Sequence, residues 1–257
     1  MGENILLPFD HLKAHEFLRG IDKRLARVIE KTGAFLFKLD ECGSVYESLL
    51  EAIVYQSISG KAAAKIYSRI KALGANGLCP TPAEILATPT QKLREAGLSG
   101  AKAAAMKDLA QKTVEGIVPT LEEAGKLTDE ELVERLISVR GIGAWTVEMF
   151  LIFRLGRPDV LPIHDYGVQK GFALTYGKKE IPKPRDLAAF GERWRPFRTV
   201  ASWYMWRAVE HYGKTRKLTK STKTKKKLAK PLKKSSKKST AKKRPTRRKS
   251  LRRKRRS

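Results

Sequence analysis

Residues 136–166, LISVRGIGAWTVEMFLIFRLGRPDVLPIHDY, limit the possible folds of this chain more than any other stretch. Gly141-Ile142-Gly143 separates two runs of helical periodicity. A Pro-x-x-Asp turn follows, with Asp165 lying 22 positions after Gly143. The first helix is expected to end near Val139 and the second to open at Ala144-Trp145-Thr146, with Ile142 plugging the turn into the core. Glycines allow left-handed backbone angles and let an anion approach the main chain closely. The helix start beyond them offers unpaired N–H groups and a positive dipole end to a phosphate. Such a turn can hold a DNA phosphate, and the following carboxylate can act beside it. An ordinary interhelical turn can also carry Gly-x-Gly, so the neighbouring residues must decide.

The surrounding chain predicts an all-α fold. Apolar residues recur at helical spacing in 45–58, 61–73, 101–117, 128–138, 144–155 and 196–211. Thr81-Pro82 and Thr88-Pro89 read as helix starts, with Pro just inside a capping Thr. Short runs such as GIVPTL suit extended chain, but no series of alternating segments supports a sheet. Loops are short and no repeat is evident, so the expectation is a compact, two-lobed helical bundle.

The net charge of +28 belongs mostly to one end. Residues 214–257 hold 24 of the 54 Lys and Arg and no Asp or Glu, leaving 30 basic and 26 acidic residues in 1–213. Two regions are therefore expected: a globular body at 1–213 and a Lys/Arg-rich tail at 214–257. The tail cannot bury enough apolar surface to offset its ordering entropy, which predicts disorder. It reads either as a solubilising tail or as a counterion-releasing arm for nucleic acid, and the arm is favoured. The start, MGENILLPFDHLKAHEF, lacks the basic region and apolar run of a signal peptide. No stretch approaches the ~20 apolar residues of a membrane span. Two cysteines, Cys42 and Cys79, support neither a disulfide framework nor a metal site. An intracellular location follows as the default, in the cytoplasm or nucleoid of a bacterium or the nucleus of a eukaryote, with no membrane partner.

Val139-Arg140-Gly141-Ile142-Gly143-Ala144-Trp145-Thr146 followed by Leu161-Pro162-Ile163-His164-Asp165-Tyr166 resembles the helix–hairpin–helix, Gly/Pro-Asp superfamily of DNA glycosylases. The 3-methyladenine DNA glycosylase II branch is the most similar, in its shorter, all-helical form. Further matches are Gln56-Ser57-Ile58-Ser59-Gly60-Lys61-Ala62-Ala63, Arg193-Trp194-Arg195-Pro196-Phe197-Arg198 and Trp203-Tyr204-Met205-Trp206. The resemblance spans roughly residues 10–212 and leaves the tail outside.

What the resemblance implies is hydrolysis of the N-glycosidic bond of a damaged base flipped out of double-stranded DNA. Asp165 matches the family's catalytic aspartate, and it also suits the N-cap of a helix starting at Tyr166. Trp145, Tyr166 and Trp206 match aromatic base-pocket positions, whose ring faces attract the positive charge of an alkylated purine; core packing is the alternative for each. Arg140, Gly141, Ile142, Gly143, Ala144 and Thr146, with Gln56 and Ser59, are the expected DNA contacts. A lysine takes the place of Trp145 in relatives that also cut the strand, so a monofunctional enzyme is implied. The iron–sulfur branch needs four cysteines near its end, and this chain has none there. No cofactor is implied. A monovalent cation on the carbonyls of Ile137, Val139 and Ile142, and action as a monomer, complete the expectation.

Several residues are expected to play lesser parts. His164, Asp159, Glu148 and Arg198 read as structural or solvated rather than catalytic, and Met149 as core rather than pocket. Gly100 stands where the bacterial prototype has its wedge leucine, so that role either falls to another residue such as Leu98 or Ser59 or is weak. Alternatives remain open: a glycosylase for oxidised, deaminated or mismatched bases, a non-catalytic DNA-binding or chromatin protein, or an RNA-binding protein.

Overall fold

The structure, a computed structural model, describes residues 7–213 except Cys42. The tail at 214–257, expected to be disordered, lies outside the described residues. The elements among them are helices, with no strand. In the first half they are α1 (His11–Ile21), α2 (Lys23–Thr32), α3 (Val45–Tyr55), α4 (Gly60–Lys71), α5 (Pro82–Ala87), α6 (Thr90–Glu95) and α7 (Gly100–Val114). The second half adds α8 (Leu121–Lys126), α9 (Asp129–Ile137), α10 (Ala144–Phe153), α11 (Tyr166–Thr175), α12 (Pro184–Gly191) and α13 (Arg198–Tyr212).

Local chemistry explains many of the boundaries. Thr81, Thr120 and Thr128 each accept the backbone N–H three residues on, while Glu84, Glu123 and Glu131 reach back to the capping residue. These reciprocal boxes satisfy two donors that a helix start otherwise leaves open. The Thr88-Pro89 expectation needs correcting. Thr88 closes α5, its hydroxyl donating to Glu84 O at 2.7 Å, and Pro89 stands at the cap of α6 with no side-chain hydrogen bond. The run at 116–121 is a turn leading into α8 rather than extended pairing.

Two hydrophobic clusters organise the body. One, built from α3 to α10, centres on Leu49, Ile53, Met106, Leu109 and Leu136. The other joins α1, α2, α11, α12 and α13 around Leu18, Phe172, Trp194 and Tyr204. The chain crosses between them at 33–44 and again at 156–165, and Phe37 and Trp206 pack against both. Close approach of α11 to α13 depends on Gly171, whose missing side chain leaves room for the Met205 backbone. That packing brings Trp206 to the start of α11, where Asp165 stands.

Candidate active site

The hairpin forms as the glycines suggest. Helix α9 closes at Ser138, Gly141 turns at φ +78°, and Gly143 stands at the cap of α10 without a side-chain partner. Gly141 requires glycine for a second reason. A Cβ there would lie 3.2 Å from Ala105 on α7, against which the turn is pressed. Ile142 is buried, and its N–H donates to Val139 O at 3.0 Å. The exposed start of α10 at Ala144 and Trp145 presents first-turn N–H groups outward, the arrangement that binds phosphate.

Asp108 on α7 anchors this turn from behind. Its Oδ2 accepts the Arg140 N–H at 2.7 Å and pairs with Lys112 at 2.8 Å, and Lys112 also donates to Ser138 O. Burial pushes the Asp108 carboxyl up, but the Arg140 N–H and Lys112 outweigh it and hold it below its ordinary value. A depressed carboxyl contributes stability above its unfolded pKa and loses it as pH falls through the folded one. Asp108→Asn is therefore expected to cost about 1–2 kcal/mol at neutral pH, by the usual worth of a charge-assisted hydrogen bond. The loss should shrink towards pH 3 in denaturant titrations; a loss that is the same at both pH values would count against the anchor.

Asp165 sits at the second structural corner. Its N–H donates to Pro162 O at 2.9 Å, closing the Pro-x-x-Asp turn, and its side chain caps α11. Three donors converge on the carboxylate. Trp206 Nε1 and Val168 N reach Oδ1 at 2.8 Å each, and Trp145 Nε1 reaches Oδ2 at 3.0 Å. Trp145 belongs to α10 at the hairpin and Trp206 to α13, so the carboxylate ties these two helices together. Trp206 is itself stacked on Phe153 at 5.6 Å, which stacks on Phe37 at 5.4 Å. The catalytic and capping readings of Asp165 are thus compatible, since capping fixes the side chain without using all of its acceptor capacity.

Beside this carboxylate lies a cavity of about 640 Å³ between α3 and α10. Gln56, Ser57, Gly143 and Trp145 line it at the hairpin, and Ala52, Tyr55, Met149, Phe150 and Phe153 line it farther along the two helices. That volume falls in the range of small-molecule pockets and admits a purine ring. Ser57 has φ +59°, a left-handed angle rarely taken by a residue with a side chain.

Comparison with known proteins gives this arrangement its context. The family model for HhH-GPD superfamily base excision DNA repair protein matches residues 50–196, a span holding both the hairpin and Asp165. The chain belongs to this family. Among curated relatives, DNA-3-methyladenine glycosylase 1 of Schizosaccharomyces pombe is 38% identical over 82% of this chain and 90% of its own length. The solved structure of the S. pombe 3-methyladenine DNA glycosylase with abasic DNA aligns at a TM-score of 0.70, covering 77% of this chain and 97% of that one. A DNA-3-methyladenine glycosidase from Bacillus halodurans aligns at 0.71 with 31% identity, covering 79% and 91%.

Within this HhH-GPD fold the expected site residues fall into distinct groups. Asp165, Trp145 and Trp206 are brought together, and Tyr166 lies exposed at the first position of α11. Arg140, Gly141, Gly143 and Ala144 face outward on the hairpin. Ile142 and Thr146 do not: both are buried, and their N–H groups are spent on Val139 O and Gly143 O. Gln56 instead ties the end of α3 to the hairpin, donating to Gly141 O at 3.0 Å. Ser59 is exposed at the start of α4. His164 is exposed, while Asp159 is structural, holding Arg198 through two oxygens at 2.8 and 3.0 Å. Arg198 is consequently not the solvated side chain its helix position suggested. Leu98 is 4% exposed and cannot enter DNA, so the wedge role does not fall to it.

Three features escaped the sequence reading. Gly167 admits Trp206, because a Cβ there would lie 2.7 Å from Trp206 Cδ1 and 3.0 Å from Asp165 Oδ1. Met149 lines the cavity instead of serving only the core. Glu148, expected to be structural or solvated, is a half-buried carboxyl whose Oε2 has no hydrogen-bond partner among the described residues. Burial, and then the charge of Asp165, push its pKa from 4.5 up to about 7. A raised folded pKa means stability present in full below pH 4.5 and lost as pH rises through about 7. Glu148→Gln is expected to leave stability near pH 4 unchanged and to add about 1–2 kcal/mol at pH 8, after a discount for partial exposure. Equal stability curves for both proteins across that range would refute the assignment.

Proposed function

We propose that the protein is a monofunctional DNA glycosylase that flips an alkylated purine, such as 3-methyladenine or 7-methylguanine, from double-stranded DNA and hydrolyses its N-glycosidic bond. The carrying observation is the Asp165 carboxylate, fixed by two indole N–H groups beside an aromatic cavity and a phosphate-binding hairpin. The outward N–H groups of the hairpin grip the backbone near the lesion. The Ile137, Val139 and Ile142 carbonyls suit a monovalent cation there, since the Val139 oxygen keeps a lone pair beyond its bond to Ile142 N. Ile58, 40% exposed next to the left-handed Ser57, fills the gap that the flipped nucleotide leaves.

Once the base is in the cavity, the C–N bond lengthens and positive charge builds on the deoxyribose. Asp165 stabilises that charge and orients the attacking water. A base alkylated at N3 or N7 already carries positive charge and leaves readily, so no strong general acid is required. The indole face of Trp145, 46% exposed, and the ring of Tyr166 attract it by about 0.5–2 kcal/mol per contact. Trp145 has no amine with which to attack the sugar, so the product is an abasic site in an intact strand. The protein acts inside the cell as a monomer, and the basic residues of 214–257 strengthen DNA binding in a salt-dependent way.

A duplex with one 7-methylguanine tests this reading. The strand should stay whole after incubation and break only on hot alkali treatment. Strand breaks without alkali, or a covalent complex trapped by borohydride, would contradict it.

A further inference from the structure

The cavity beside Asp165 changes character along its length. From Tyr55, next to the Gln56 that holds the hairpin, to Ser48 near its start, helix α3 runs seven residues, or ~10 Å at a rise of 1.5 Å per residue. Along that length the lining changes from Trp145, Met149 and Phe153 to Asp40, Ser48, Glu51 and Arg154, with the Asp40 side chain 59% exposed. The Arg154 guanidinium holds Glu51 at 2.8 Å, donates to Glu41 O and lies 4.0 Å from Asp40. Arg154 is 19% exposed and Glu51 30% exposed at the side chain, so their geometry is built and partly desolvated.

The charge balance at this end is not neutral. Asp40 and Glu51 supply two negative charges against the single positive charge of Arg154. A second cavity, about 600 Å³, shares Asp40, Ser48, Glu51 and Arg154 with the first and adds Glu41, Glu47, Lys38 and Lys71. Those four cancel, so one negative charge remains in excess. A neutral purine gains nothing specific from that field, whereas a purine with a formal positive charge is attracted by it. The low-dielectric aromatic walls strengthen the attraction relative to water.

Resting on the proposed alkylpurine reading, we infer that Glu51, aligned by Arg154 and assisted by Asp40, is a specificity-determining residue at the end of the base cavity away from the hairpin, selecting cationic over neutral purines. Aromatic faces act on the plane of the base, and Glu51 acts on its far edge. The two recognise the same charge from different directions. Arg154 is a positioning residue here, because its contacts set the orientation of the Glu51 carboxylate.

Glu51→Gln tests the inference, since glutamine keeps the length and one acceptor oxygen for Arg154 while removing the charge. Single-turnover release of 7-methylguanine should fall about tenfold, equivalent to 1.4 kcal/mol. Glu51→Asp should recover part of the rate. Affinity for a duplex carrying an abasic-site analogue, which places no base in the cavity, should stay within about twofold. Release of hypoxanthine, a neutral purine, should change less than twofold. Unchanged 7-methylguanine release would overturn the inference. So would an equal fall for hypoxanthine, or a parallel loss of affinity for the abasic duplex. Absence of methylpurine release by the wild-type protein would instead overturn the alkylpurine reading on which the inference rests.

Discussion

Asp165→Asn is expected to retain DNA binding and to lose base release by a factor of at least ~10²–10³, the usual effect of removing an electrostatic stabiliser of the transition state. The carboxylate accepts three N–H groups, two at Oδ1 and one at Oδ2. Asparagine can keep its single oxygen towards Trp206 and Val168, which preserves the cap of α11. Its NH₂ then faces the Trp145 indole N–H, donor against donor, and that hydrogen bond is lost. Charge is removed where the sugar becomes positive, while the hairpin that grips phosphate is untouched. Base release in single-turnover assays, together with affinity for an abasic duplex, checks both halves. Binding loss in step with release would mean that Asp165 serves only to hold α11.

Gly171→Ala is expected to be the most destabilising small substitution in the body. A Cβ at this position would overlap the Met205 carbonyl and lie 2.8 Å from Met205 Cα, both backbone atoms of α13. Backbone cannot rotate aside as a side-chain tip can, so α11 and α13 must separate. Overpacking of a filled core costs about 1–3 kcal/mol and more where main chain is displaced. With about 2–4 °C per kcal/mol for a domain of this size, a melting-temperature drop near 10 °C is expected. Activity should fall as well, because the same separation draws Trp206 away from Asp165. Gly125→Ala on α8 is the control: a Cβ there meets nothing within 4 Å, and helix propensity favours alanine. Equal melting temperatures for the two variants would show that α11 and α13 are not locked at Gly171.

The sequence was most legible where the signal is local. The turn at Gly141-Ile142-Gly143, the cap at Asp165 and the Thr-Pro start at Thr81 each depend on residues within a few positions, and all three form as expected. Helical spacing likewise led to the all-α fold. What stayed hidden depends on long-range partners. Arg154 meets Glu51 across 103 positions, and Arg140 meets Asp108 across 32, so neither pair has a periodic signature. Arg198 looked solvated because its helix position says nothing of Asp159, 39 residues earlier. Gly167 was passed over for a similar reason: the indole that needs its open space comes from α13. The resemblance implied Thr146 as a DNA contact, but the helical turn rotates it inward.

Base release from methylated duplex DNA, with the freed bases separated by chromatography, decides whether Asp165 drives hydrolysis of alkylated purines. Free 3-methyladenine and 7-methylguanine are expected, with alkali-sensitive sites in otherwise intact strands, and neither product with Asp165→Asn. Failure of the wild-type protein to release any methylpurine, or undiminished release by Asp165→Asn, would contradict it.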